Sequence, residues 1–150
     1  VSAGESETFN GNVNLPEATT IALCHLGTLH ARQDDAPMAN AYLDEAATLA
    51  RSADIAWLQV DIAIRRGDVL LRTGNYEAAH VQFATAVAET QAGNLLELEA
   101  LARFGLARAA GEMGETDSAA HQAQAALVIL ADMGHIEANN VRRWLQQYGI

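Results

Sequence analysis

The side chains of this 150-residue chain that could do chemistry are five histidines, one cysteine, nine basic residues and nineteen acidic ones. Metal binding would need imidazoles converging on one helical face, as in the i, i+4 pair of an HExxH helix. His25, His30, His80, His121 and His135 contain no such pair, so no metal site is expected. Cys24 adjoins His25, but neighbours on a helix diverge by about 100° and do not make a nucleophile–base couple. Cys24 is expected to pack as a small buried hydrophobe. The glycines between Gly105 and Gly114 lack the Lys-Ser/Thr that completes a phosphate loop. Carboxylate pairs such as Asp34–Asp35 and Glu97–Glu99 fall in turns or on solvated faces. Neither a catalytic residue nor a cofactor is expected, and the chain is not read as an enzyme.

The charge balance narrows the partners. All nine basic residues are Arg, and the formal net charge is −10. Tracking phosphates would mean working against the chain's own field, so nucleic acid and anionic membrane are excluded as expected partners. A single cysteine cannot form an internal disulfide, no apolar run approaches about 18 residues, and no basic, apolar leader opens the sequence. A cytoplasmic location is expected. Residues 1–15, rich in Ser, Gly, Glu and Asn, read as a flexible linker bordering a domain cut from something longer.

The elements that must position these side chains are helices. Strand alternation is nearly absent, and from Pro16 onward Ala, Leu, Arg, Glu and Gln recur at helical spacing. Laying the chain on itself with a shift of forty positions aligns Gly27, Gly67 and Ala107; Ala39, Ala79 and Ala119; Leu43, Phe83 and Ala123; and Ala46, Ala86 and Ala126. Small residues at such offsets let two antiparallel helices approach closely. Turn residues recur too: Asp34–Asp35, Gly74–Asn75 and Gly114–Glu115, then Ala53–Asp54, Gly93–Asn94 and Met133–Gly134. The expected helices are 16–33, 36–52, 55–73, 76–92, 95–113, 116–133 and 135–148. Pro16 and Pro37 stand at helix starts, and Asp54 is expected to be an N-cap. The seventh segment departs from the repeat but is amphipathic, with Ile136, Val141, Trp144, Leu145 and Tyr148 on one side. It reads as a cap over the last hairpin.

The run Gly67-Asp68-Val69-Leu70-Leu71-Arg72-Thr73-Gly74-Asn75-Tyr76-Glu77-Ala78-Ala79, followed by Phe83 and Ala86, resembles the tetratricopeptide repeat (TPR). The resemblance covers roughly residues 17–133 in three copies. It implies an all-α, right-handed α-solenoid of three TPR-like hairpins, at about 16–54, 55–94 and 95–134, with residues 135–150 as capping helix. The family's usual unit is about 34 residues, so a 40-residue unit implies longer helices, as in large bacterial signalling proteins and transcriptional regulators. There the array is a sensor or docking segment, which implies a non-catalytic protein- or peptide-binding module whose partner is another protein or another segment of the same parent.

The resemblance also implies a concave groove lined by the first helix of each hairpin. Carried over copy by copy, its positions are Ile21, Cys24 and Thr28; Asp61, Ile64 and Asp68; and Leu101, Phe104 and Arg108. These side chains either receive apolar residues of a peptide or belong to the ordinary core, covered by the last helix. Arg65 and Arg72 lie seven residues apart and either grip an acidic peptide or pair with Asp61 and Asp68, one turn before them. The Lys and Asn with which some relatives grip chaperone tails are missing, since Cys24 and Thr28 stand in their places. Two further uses stay open: a structural spacer or homo-oligomerisation module with a self-occupied groove, homodimer included, and a small-molecule sensor.

Overall fold

The computed structural model describes residues 15–149, so residues 1–14, most of the expected linker, lie outside it. Among the described residues all regular structure is helical: α1 Leu15–Arg32, α2 Ala36–Ser52, α3 Ala56–Arg72, α4 Tyr76–Ala92, α5 Leu96–Glu112, α6 Thr116–Asp132 and α7 Glu137–Gln147. The chain divides inside α3 into two compact units, one reaching Ile62 and the other starting at Ala63. In the first, α1 packs against α2; in the second, α4 packs on α5, α5 on α6 and α6 on α7.

The helices stop on a strict beat. Asp34, Asp54, Gly74, Asn94, Gly114 and Gly134 all have positive φ, between 53° and 80°, and follow one another at every twentieth position. At each stop the next amide reaches back over the turn: Asp35 N–H donates to His30 O, Ile55 to Ala50, Asn75 to Leu70, Leu95 to Thr90, Glu115 to Ala110 and His135 to Leu130, at 2.8–3.0 Å. These are Schellman closures, which satisfy carbonyls that the helix end would leave bare. Asp54 is therefore a left-handed stop for α2 and not the N-cap expected of it. A true side-chain cap stands at Asp35, whose Oδ1 accepts from Met38 N–H at 3.2 Å, next to Pro37 in the first turn of α2.

The repeated columns trade volume across each hairpin. In the first unit a Cβ on Gly27 would stand 3.0 Å from Leu43 Cγ. In the second, Phe83 is fully buried, with Gly67 of α3 and Gly105 of α5 facing its ring; a Cβ on Gly67 would lie 2.6 Å from Cζ, and one on Gly105 closer still to Cε1. The third copy fills the same pair of columns with Ala107 and Ala123, joined there by Phe104, Leu130, Val141 and Leu145. Small beside large in the first two copies, and two alanines backed by larger neighbours in the third, each fill the interior.

Helix α7 buries Ala138, Val141 and Leu145 and keeps Arg142 and Arg143 on its wet side, bonded to Asn139 and Asn140. Two residues expected on its apolar side differ: Ile136 precedes the helix and is 82% exposed, and Tyr148 follows it and is 38% exposed.

Candidate functional site

The expected groove positions separate by burial. In the first unit Cys24 is fully buried, while Ile21, Thr28 and Asp61 are half-buried. In the second, Ile64 (6% exposed) and Phe104 (9%) face the core, Leu101, Arg65, Asp68 and Arg108 are half-buried, and Arg72 is exposed. Cys24, Ile64 and Phe104 share one column of the repeat, so that column points into the packing between helices and is not a contact strip. Leu101 packs against the same cluster as Phe104.

Around Arg108 the second unit gathers several of these residues. Its Nη2 donates to Asp68 Oδ1 at 2.8 Å, so Asp68 is answered from the next repeat instead of by Arg72, one turn away on its own helix. The guanidinium carbon lies 4.8 Å from the centroid of the Phe104 ring, a cation–π distance. Nε of Arg108 is buried and has no hydrogen-bond partner among the described residues. Arg103, by contrast, is committed on two sides, to Glu99 Oε2 and to Gln122 Oε1, both at 2.8 Å.

Beside Arg108 opens a recess of ≈ 200 Å³ lined by Leu71, Arg72, Tyr76, Arg108, Glu112 and Trp144. The last helix supplies its aromatic wall. Trp144 meets Phe104 edge-on, at 6.0 Å between centroids, and stacks on Tyr148 at 4.4 Å. Gly111 makes room for both rings, since a Cβ there would stand 3.1 Å from each. Tyr148 donates its hydroxyl to Glu112 Oε1 at 3.2 Å. Burial first, then the Glu112 charge, that hydrogen bond and Tyr76 raise the Tyr148 phenol above its ordinary value, so it remains a donor at neutral pH.

Tyr76, Glu112, Trp144 and Tyr148 were not among the groove positions expected from the sequence, yet the repeat register contains the signal for three of them. It places Trp144 in the column of Cys24, Ile64 and Phe104, Tyr148 in that of Thr28, Asp68 and Arg108, and Glu112 in that of Arg72. Helix α7 thus continues the register of the first helices as far as it runs. Gln147 occupies the small-residue column, which hides the continuation.

No histidine is in the lining of this recess. His30 stacks on Tyr42 and lies 3.6 Å from Asp35, His80 lies 3.8 Å from Glu115, and His135 Nε2 is 2.7 Å from Glu97 Oε2. Each of these three faces one carboxylate, and no cluster of three metal-ligating side chains occurs among the described residues. No helix among them is long and apolar enough to cross a membrane.

No family model matches the chain, and no curated protein matches it. A solved structure does: the crystal structure of the apo form of RapI aligns with a TM-score of 0.70 at 17% identity, over 90% of this chain and 38% of that one. The chain spans well under half the length of that protein. At this identity the likeness concerns the fold, and it places the chain among all-α helical-repeat proteins of the α-solenoid class.

Proposed function

We propose that the chain is a TPR-like protein- or peptide-binding module, the sensor or docking segment of a larger bacterial regulatory protein working in the cytoplasm. Its mechanism is recognition without bond-making. The observation that carries this reading is the open recess in the second unit, where first-helix positions Arg72, Arg108 and Glu112 meet an aromatic wall. Open recesses with a few polar groups on an apolar lining are the usual form of a recognition pocket. Half-buried Leu101, Arg65 and Asp68 lie on the same first helices, as Ile21, Thr28 and Asp61 do in the first unit.

A random twelve-residue peptide display library panned on the whole protein tests this. Enriched peptides, resynthesised with both ends blocked, should shift the emission of Trp144 in a Trp57→Phe background, which leaves Trp144 as the single indole. A library that yields no binding peptide would overturn the reading.

The second reading, a spacer or homo-oligomerisation module with a self-occupied groove, is favoured by one observation: Trp144 of the last helix already covers Phe104. Sedimentation of the full chain over a wide concentration range separates the two. Concentration-dependent dimers without any peptide binding would establish the second.

A further inference from the structure

The geometry points to a mid-chain acidic side chain, Asp or Glu, of the bound peptide as the occupant of the recess beside Arg108; this rests on the peptide-binding reading above. The Arg108 guanidinium is held in place before any ligand arrives. Phe104 supports its face, and Asp68 takes one amino group. A third of the Arg108 side chain stays exposed, while its Nε is buried and has no partner among the described residues. Its exposed amino hydrogens are donors to the recess, and a carboxylate oxygen is the acceptor that fits a guanidinium. Arg72 stands on the same rim, exposed and in no ion pair among the described residues.

Charge complementarity favours the same occupant despite the acidic chain. Every arginine beyond Ile62 lies on α3, α5 or α7; α4 and α6 carry none and hold Glu77, Glu89, Asp117 and Asp132 instead. Against these seven arginines the same helices hold five carboxylates, Asp68, Glu97, Glu99, Glu112 and Glu137, so the first-helix side of this unit is modestly positive and the other side acidic. Inside the recess the charges are ordered as well. Glu112 already accepts from Tyr148 and would repel a carboxylate, directing it toward the arginines. Leu71 and the Trp144 ring offer apolar surface to the one or two methylenes that carry such a carboxylate, and ≈ 200 Å³ admits one side chain. A Lys or Arg of the partner would instead face Arg72 and Arg108, with Glu112, already bonded to Tyr148, as the carboxylate of the lining.

The blocked peptides recovered from the library decide the matter. They are expected to share Asp or Glu at one position. Replacing that residue by Asn or Gln should weaken binding about tenfold or more, and raising the salt should weaken the acidic peptide selectively. Arg72→Gln, which disturbs no internal ion pair, should weaken the acidic peptide and leave its amide twin unchanged; Arg108→Gln should do so more strongly, with the helical circular dichroism confirming that the fold survives. Binding peptides without a shared acidic position, or an Arg72→Gln effect equal on both twins, would overturn the inference while leaving the binding module intact. A library empty of binders would remove both.

Discussion

The first hairpin and the region beyond Ala63 use the same offsets to opposite ends. At the close-approach columns the first unit pairs Gly27 with Leu43, whose Cγ and Cδ2 a Cβ on Gly27 would meet at 3.0 Å. The second unit pairs Gly67 and Gly105 with the Phe83 ring, as fully buried as Leu43 but approached more closely and from two helices. One column further, Thr28 of the first unit corresponds to Asp68 and Arg108 of the second, which bond to each other. A repeat fixes where side chains stand and leaves their identity free. At these columns only the second unit sets an aromatic ring and a charge pair.

The comparison is broken most forcefully at the large side chains. Phe83→Ala should cost about 3–5 kcal/mol and Leu43→Ala about 2–5 kcal/mol; urea unfolding should place the Phe83 variant as the less stable of the two. Phe104→Ala belongs with Phe83, because Phe104 is core, and amide hydrogen exchange should show the loss spreading to α7. Next come the glycines. Gly67→Ala and Gly105→Ala should each cost about 1–3 kcal/mol by overpacking against Phe83, whereas Gly27→Ala should fall at the low end because a Cβ there meets Leu43 at 3.0 Å, farther than either approach to Phe83; thermal midpoints measure the difference.

The packing columns and turns were legible in the sequence because both follow chain geometry: a helix pair that returns with a constant period leaves its small residues in register. The recess was not. Cys24, Ile64 and Phe104 and their neighbours four residues on, Thr28, Asp68 and Arg108, were assigned to one strip, but small rotations about a helix axis decide which of two adjacent columns faces solvent. Asp68 has an Arg one turn away, at Arg72, so local spacing favoured the wrong partner over the one in the next repeat. Trp144 and Tyr148 read from the sequence as part of a cap and not of the groove, because Gln147 interrupts the column by which the earlier copies are identified.

Smaller effects sharpen the contrast at the turns. Asp34→Gly and Asp54→Gly in the first unit should gain up to about 1 kcal/mol by relieving left-handed strain, and Gly74→Ala or Gly114→Ala in the second should lose about as much; calorimetric midpoints moving in opposite directions would confirm it. The smallest expected effect is alkaline. The Tyr148 phenol is raised in the folded state, so its stabilisation is complete below the ordinary tyrosine value of 10.0 and is lost as pH climbs through its folded value. Tyr148→Phe should flatten that part of a urea-midpoint against pH curve.

The even beat of left-handed stops has an evolutionary corollary. Excising or duplicating one whole unit between equivalent turns, for example from Asn75 through Gly114, leaves every remaining hairpin in phase and is an edit such a chain can absorb. Cutting half a unit, a single helix with its turn, keeps the stops but exchanges inner and outer helices from that point on. Genes of this kind should therefore lengthen and shorten by whole hairpins.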